Sequence, residues 1–278
     1  MTILVSYLYP SCAQYVDDYI TSLERQTYKN FQVVIFNDGV SNAYDLFEKS
    51  KLKFKLIDLS GSPLQIRYKS FSYLKSLDLS YIIFQDLDDL LTSNRISHAL
   101  DLLEDFDLVC NDLSLMDESS RLFKENVWEA RLGGFFEFDY PFIWNKNIVG
   151  LGNTAIRKSV LDSELAKDPI PIAADWFIFF QLLYKKNLKA VFTSGAQTLY
   201  RQHSNNLVGL SEVSSSRIKQ ALKVKINHFK ALINSGIDAK KYYLEALSLQ
   251  KAFEENTCSF TPRSDNFFWW EETTLINQ

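Results

Sequence analysis

Cysteine and histidine are scarce, three of each in 278 residues. Cys12, Cys110 and Cys258 lie far apart and form no CxxC pair, which excludes a disulfide scaffold and a cysteine-rich zinc site. His98, His203 and His228 make no HExxH pair, and no GxSxG elbow is present for a serine hydrolase. Glycine is thin at nine residues, and neither GxxxxGK(S/T) nor GxGxxG occurs. A nucleotide site in this chain would have to use side chains and metal rather than a glycine cradle. A basic excess is also missing: 30 Lys and Arg stand against 34 Asp and Glu, for a net charge of -4. Such a chain is a poor general binder of phosphate backbones, so no nucleic-acid partner is expected. No run of 18 apolar residues without charges exists to span a bilayer, and there is no internal repeat or low-complexity tract.

What is present is material for a large core. Apolar residues make up 46% of the chain and aromatics 14%, which suits one large α/β domain or two domains. The opening MTILVSYLYPSC lacks a basic n-region and reads as a first buried strand rather than a signal peptide, so the expected compartment is the cytoplasm. Strand-like Ile3 to Leu8 is followed by a helical pattern, Tyr15, Val16, Tyr19, Ile20 and Leu23, with Ser11 as the expected cap. Phe31 to Phe36, Lys53 to Ile57 and Tyr81 to Phe84 read as further strands, and Leu64 to Leu77 as a helix with Pro63 in its first turn. A helix from Arg95 to Leu103 and a strand from Asp107 to Cys110 continue the alternation. It points to an α/β fold with a mostly parallel central sheet and helices on both faces. Further on, a helix is expected from Ala174 to Lys186, strands at Ala190 to Thr193 and Gln197 to Tyr200, and helices at Arg217 to Asn234 and Ala239 to Glu255.

In such sheets ligands bind at the carboxyl ends of the strands. Those ends carry Tyr7, Asp38 and the cluster Asp86-Leu87-Asp88-Asp89. Three carboxylates within four residues repel one another unless a cation sits among them, and a hard divalent ion holding substrate phosphates would do so. The plainer reading is a solvated acidic turn before the next helix, which Ser93 or Asn94 would cap. Asp38, in Asn-Asp-Gly, is either a contact for a base or ribose or part of an Asx-turn. Arg67 suits a diphosphate or an ordinary surface. Asp175 is a helix N-cap or a general base. His203 lies among polar residues just past a strand and is the functional candidate among the histidines. The aromatics between Phe135 and Trp144 are candidates to stack on sugar faces, and segments near Gly150 and Gly209 to close over a bound donor.

Taken together, these segments resemble the family 2 glycosyltransferases of the GT-A fold. The resemblance is carried by Val5-Ser6-Tyr7, by Tyr19 to Phe31 (YITSLERQTYKNF), by Val34-Ile35-Phe36-Asn37-Asp38-Gly39, and by Tyr81 to Asp89, which ends in a DxD element. Gly152 to Leu161 and the pair Asp175-Trp176 resemble the acceptor side of that family. Tyr200 to Gly209 resembles a segment of its rhamnosyltransferase-like bacterial polysaccharide members. The resemblance covers residues 1–209, with 1–112 as the nucleotide-sugar-binding part and 113–209 as the acceptor-binding part; 210–278 would be a helical C-terminal extension. Departures fall at Tyr68 after Arg67, at Ala174 before Asp175, and after Gly39.

The resemblance implies that Ser6, Tyr7, Asp38, Arg67, Asp86 and His203 contact the donor, that Asp88 and His203 hold Mn2+ or Mg2+, and that Asp175 is the catalytic base. It implies an inverting transferase moving a sugar from a UDP- or dTDP-linked donor to a saccharide or lipid-linked saccharide. Bacterial surface polysaccharide would be the setting, with rhamnosyl, galactosyl or glucosyl transfer, in the cytoplasm or at the inner face of the membrane. The aromatic stretch Asn266 to Trp270 admits a peripheral membrane contact, although Glu271 and Glu272 disfavour an anionic surface. A nucleotidyltransferase-like enzyme and an inactive GT-A-like scaffold are the alternatives; the first would need a Gly- and Lys-rich loop that residues 11–19 lack.

Overall fold

Strand β1 (Thr2–Leu8) is buried along its whole length, and its alternating side chains serve two different cores. Parallel partners flank it, β2 (Phe31–Asn37) on one side and β4 (Tyr81–Phe84) on the other, with β3 (Phe54–Asp58) beyond β2. On one face Leu4, Leu8, Val33, Ile35 and Ile83 join Val16, Tyr19 and Leu23 of α1 (Val16–Glu24), Phe47 of α2 (Ala43–Phe47) and Ile96 and Ala99 of α4 (Arg95–Leu102). On the other face α3 (Pro63–Ser76) packs Phe71 against Phe84 and Tyr73 against Phe36. Each fully buried aliphatic or aromatic side chain of this kind contributes about 1.5–3 kcal/mol. The helices on both faces match the expectation from the strand-helix alternation.

The structure, a computed structural model, describes residues 1–161, 172–203, 215–255, 257, 259–261 and 274–276. The expected boundary at residue 209, most of the segment from Tyr200 to Gly209, and the aromatic stretch from Asn266 to Trp270 with Glu271 and Glu272 lie outside the described residues.

Beyond β4 the sheet is mixed. The short β5 (Leu90–Leu91) precedes α4, and the nine-residue β6 (Leu108–Met116) is wholly buried. β7 (Leu122–Lys124) folds back on β6, α5 (Glu129–Leu132) follows, and β8 (Phe135–Phe138) pairs with the later β10 (Ala190–Arg201). β9 (Thr154–Arg157) inserts antiparallel between β4 and β6, giving the order β3-β2-β1-β4-β9-β6-β10-β5. The parallel part is thus β3-β2-β1-β4 together with the β6-β10 pair. The two strands expected at 190–193 and 197–200 are one strand, β10, with a bulge between Thr193 and Gln197.

Local sequence explains the helix ends unevenly. Ser62 and Gln65 form a reciprocal capping box ahead of α3, with Pro63 in the first turn. Ser11 caps nothing; the chain passes through a 3-10 turn, Ala13–Tyr15, whose preceding bend is held by Tyr9 N–H donating to Cys12 Sγ at 3.3 Å. Asn94 stands at the start of α4 but makes no capping bond and donates instead to Gly195 O at 2.8 Å.

The chain divides into two compact units, one formed from residues 1–139, 149–163 and 182–205, the other from 140–148, 164–181 and 206–278. The first holds the ten-stranded sheet. The second is helical and aromatic: the start of α6 (Ala174–Lys186), then α7 (Ser215–Asn234) and α8 (Lys240–Glu254), with a ribbon of β11 (Ser259–Thr261) and β12 (Thr274–Ile276). Trp176 of α6 lies flat on His228 of α7, ring centres 3.8 Å apart, and Trp144 stacks on Tyr242 of α8 at 4.4 Å. α7 ends where Gly236 takes φ +82, which lets Ile237 N–H reach back to Leu232 O.

Candidate functional site

The parallel strands deliver five polar groups to one edge of the first unit. Tyr7 closes β1, Asp38 follows β2, and Asp86 to Asp89 follow β4. Asn37 performs the turn that would otherwise occupy Asp38. Its Oδ1 accepts from Val40 N–H at 3.0 Å, and its Nδ2 donates to Val40 O at 3.0 Å and to Asp58 at 2.7 Å. Asp38 is thereby released, half-buried, with no side-chain hydrogen bond among the described residues.

Arg67, in the second turn of α3, lays its guanidinium over the Tyr7 ring at 3.5 Å. Tyr7 is held for this by its hydroxyl bond to Ser70 at 2.7 Å and by stacking on Phe36. No carboxylate pairs with Arg67 among the described residues, and its buried Nε has no hydrogen-bond partner. A positive group is therefore held at the strand ends without internal neutralisation. Ser6 is not brought to this group: it is fully buried and shares a 2.6 Å hydrogen bond with Tyr19.

The acidic turn is a built structure rather than a solvated one, since Asp88 and Asp89 are both buried. Burial, then the charges of Asp88 and Asp86, push the Asp89 carboxyl well above the usual carboxylate range. Burial and the same two charges raise the Tyr9 hydroxyl, which points at Asp88 Oδ2 from 3.5 Å. His203 Nε2 lies 3.0 Å from Asp88 Oδ2, with its ring against Tyr15. Opposite, Gly152 approaches so closely that a Cβ there would sit 2.7 Å from Asp86 Oδ2 and 3.3 Å from Asp89 Oδ2. The turn 150–153 that presents Gly152 is pinned by Asn153, whose Oδ1 accepts from Gly150 N–H and whose Nδ2 donates to Asn111 O.

Two of these features lie in segments that resemble the family, but their part in this site shows only in the fold. Gly152 is a cradle wall defined only by the fold. Arg201, fully buried at the end of β10, donates from Nε to Asp88 O at 2.7 Å and from its backbone N–H to Asp89 Oδ1 at 2.8 Å. The single hint was its place two residues before His203.

A divalent cation fits this chemistry in a limited way. Asp88 and His203 offer one carboxylate and one imidazole at the same point, while no group of three or more His, Cys, Asp or Glu able to hold a metal is found among the described residues. Two protein donors suit a hard ion that takes its remaining ligands from diphosphate oxygens and water, not a fully protein-caged ion.

Asp175 belongs to the second unit. α6 begins at Ala174, so Asp175 lies within its first turn, half-buried, rather than at the cap. The turn that carries it is held by Trp176, whose Nε1 donates to Ile143 O at 2.8 Å, and by Ile172 N–H donating to Asn227 Oδ1 at 2.6 Å. Trp144, expected among the sugar-stacking aromatics, has its ring engaged by Tyr242 and Phe180, and Phe136 is stacked on Phe192. Phe135 remains exposed.

Residues 3–164 match the family described as "Glycosyl transferase family 2". No curated protein matches the sequence significantly. Among solved structures, S. aureus TarS 1-349 in complex with UDP-GlcNAc is similar in fold, with a TM-score of 0.61 and 16% identity over 92% of this chain and 72% of that one. The mannosyltransferase PcManGT from Pyrobaculum calidifontis, in complex with GDP-Man and Mn2+, is similar with a TM-score of 0.60 and 12% identity over 90% of this chain and 69% of that one. At these identities the likeness is one of fold: an α/β architecture of the GT-A kind with helices after the sheet.

Proposed function

The chain belongs to glycosyl transferase family 2, and within it we propose an inverting, metal-assisted transferase that moves a sugar from a nucleoside-diphosphate donor to a hydroxyl of a saccharide acceptor. The observation that carries the reading is that the strand ends present both the Arg67 guanidinium, with no carboxylate partner among the described residues, and the turn of half-buried Asp86 and buried Asp88 and Asp89. A cation and an acidic turn that can share a metal suit a diphosphate. That TarS and PcManGT were each solved with a nucleoside-diphosphate sugar supports the same class.

In this reading Asp38 accepts hydrogen bonds from the donor's base, Asp86 from its ribose or base side, and Arg67 on its Tyr7 platform pairs with the diphosphate. Ser6 acts behind them by holding Tyr19 and β1 in place. Asp88 and His203 would hold Mn2+ or Mg2+, which when bound neutralises negative charge on the departing diphosphate. Asp175 takes the proton of the acceptor hydroxyl as that oxygen attacks the anomeric carbon opposite the leaving group, so configuration inverts. The donor is UDP- or dTDP-linked, the sugar rhamnose, galactose or glucose, and the acceptor a saccharide or lipid-linked saccharide of bacterial surface polysaccharide. The site of action is the cytoplasm or the inner membrane face; no helix among the described residues is long and apolar enough to cross a membrane.

The test is proton NMR of the first-formed product from each candidate donor with a panel of saccharide acceptors. The reading expects transfer with an inverted anomeric centre. Retention of configuration with every productive donor would contradict it.

A further inference from the structure

Asp88 and His203 stand 115 positions apart, yet their side chains meet at 3.0 Å. Something must hold the turn after β4 in register with the end of β10. Arg201 is the group that touches both. Its backbone N–H donates to Asp89 Oδ1, and its Nε donates to Asp88 O, so the residues on either side of the Asp88–Asp89 peptide are fixed by one residue of β10. The rest of its guanidinium is consumed as well. NH1 donates to Glu118 O and Ser120 Oγ, both at 2.9 Å, and NH2 pairs with Asp18 Oδ2 at 2.9 Å. Tyr15 covers its face at 4.4 Å and also touches the ring of His203.

We propose that Arg201 is the positioning residue of the donor-phosphate site: it sets Asp88 and His203 at the separation from which both can ligate one divalent ion. This rests on the reading above, in which those two side chains hold the metal. The planar fork is essential to the role. Four acceptors in four directions match a guanidinium, and a lysine ammonium on the same stem reaches one or two of them. Arg201 also places a fixed positive charge beside the buried acidic turn, which lets the carboxylates stay grouped before a metal arrives.

The experiment uses the full chain and Mn2+ alone as probe. Bound Mn2+ is quantified by electron paramagnetic resonance, and imidazole ligation is read from nitrogen modulation in the pulsed spectrum. For the unaltered protein the expected result is Mn2+ binding with nitrogen modulation that His203→Ala abolishes. Arg201→Lys is expected to weaken Mn2+ at least tenfold and to lose the nitrogen modulation, with carboxylate-bound Mn2+ remaining. A folded Arg201→Lys protein with unchanged affinity and modulation overturns the proposal. Should Arg201→Lys fail to fold, Asp18→Asn and Ser120→Ala, which alter only the outer partners of the guanidinium, serve in its place. Weakened modulation in them supports the role, and unchanged spectra in both overturn it. Absence of Mn2+ binding to the unaltered protein overturns the role of Arg201 in presetting the two ligands; absence of Mn2+ binding with UDP or dTDP present as well overturns the metal reading itself.

Discussion

His203 Nε2 meets Asp88 Oδ2 at 3.0 Å, which joins the end of the longest parallel pair in the sheet to the turn after β4. The two groups form the point at which a carboxylate, an imidazole and a diphosphate-bound cation would converge. Around that point the remaining side chains make separable contributions, and each can be tested alone.

In the proposed reading Arg67 pairs with the donor's diphosphate, and no carboxylate among the described residues competes for its guanidinium. Replacing it by Ala should weaken nucleoside-diphosphate binding by roughly tenfold or more, the scale of one charge-assisted hydrogen bond at about 1.5–3 kcal/mol. Thermal stability should change little, because the side chain is half-buried and makes no ion pair. Calorimetric titration of Arg67→Ala beside the unaltered protein measures the first, and a melting curve the second.

Asp175 should separate binding from chemistry. Asp175→Asn keeps the shape of the first turn of α6 and removes the carboxylate proposed as the base. The expected result is a fall in kcat of about 10²- to 10⁴-fold with donor affinity unchanged. Steady-state kinetics and donor titration on the same preparation decide it; equal losses in both would assign Asp175 to binding.

Gly152 tests the cradle. An Ala at this position would put its Cβ 2.7 Å from Asp86 Oδ2, and the carboxylate must move to relieve the contact. Gly152→Ala should fold but lose metal-dependent nucleotide affinity by several-fold, and nucleotide titration with Mn2+ reads the change. Substitution at Gly39, where a Cβ meets nothing within 4 Å although φ is +87, should instead act through backbone strain on stability.

His228 gives a pH-dependent prediction about the packing of α6 on α7 in the second unit. Burial holds its imidazole down at about 3, and neither ring nitrogen has a hydrogen-bond partner. An unfolded histidine titrates near 6.5, so between about 6.5 and 3 the unfolded state binds more protons than the native one. The native state is therefore favoured fully above this window and loses stability as pH falls through it. His228→Phe keeps a flat ring against Trp176 and should flatten that acid limb. Denaturant unfolding at pH 7 and pH 4.5 should show a smaller stability difference in the variant than in the unaltered protein.

The α/β class and most helix positions are legible in the sequence, because these depend on hydrophobic period and on residues adjacent in the chain. Pro63 marks the first turn of α3 in the sequence, and the structure adds the capping box of Ser62 and Gln65. The mixed character of the sheet was not legible. β9 is four residues long and gains its place only by pairing with β4 and β6. β10 was read as two strands because the small residues Ser194-Gly195-Ala196 look the same in a bulge as in a turn. Asp38, Arg67, Asp86, Asp88 and His203 stand out in the sequence by their chemistry beside strand ends and helix starts and by family resemblance, while their side-chain environments come only with the fold. Ser6 faces the core because β1 alternates, a fact its neighbours could have suggested. Arg201 and Gly152 act through partners more than 60 positions away, where no local pattern reaches.

The central claim is a metal-linked nucleotide site at Asp88. It is tested most directly by calorimetric titration of UDP, dTDP and GDP into the full chain, each with and without Mn2+, repeated with Asp88→Asn. The expected result is that UDP or dTDP binds tightly only with Mn2+, that GDP binds weakly, and that Asp88→Asn removes the tight binding while the protein stays folded. Tight binding that ignores both Mn2+ and Asp88→Asn, or no binding of any of the three, would contradict it.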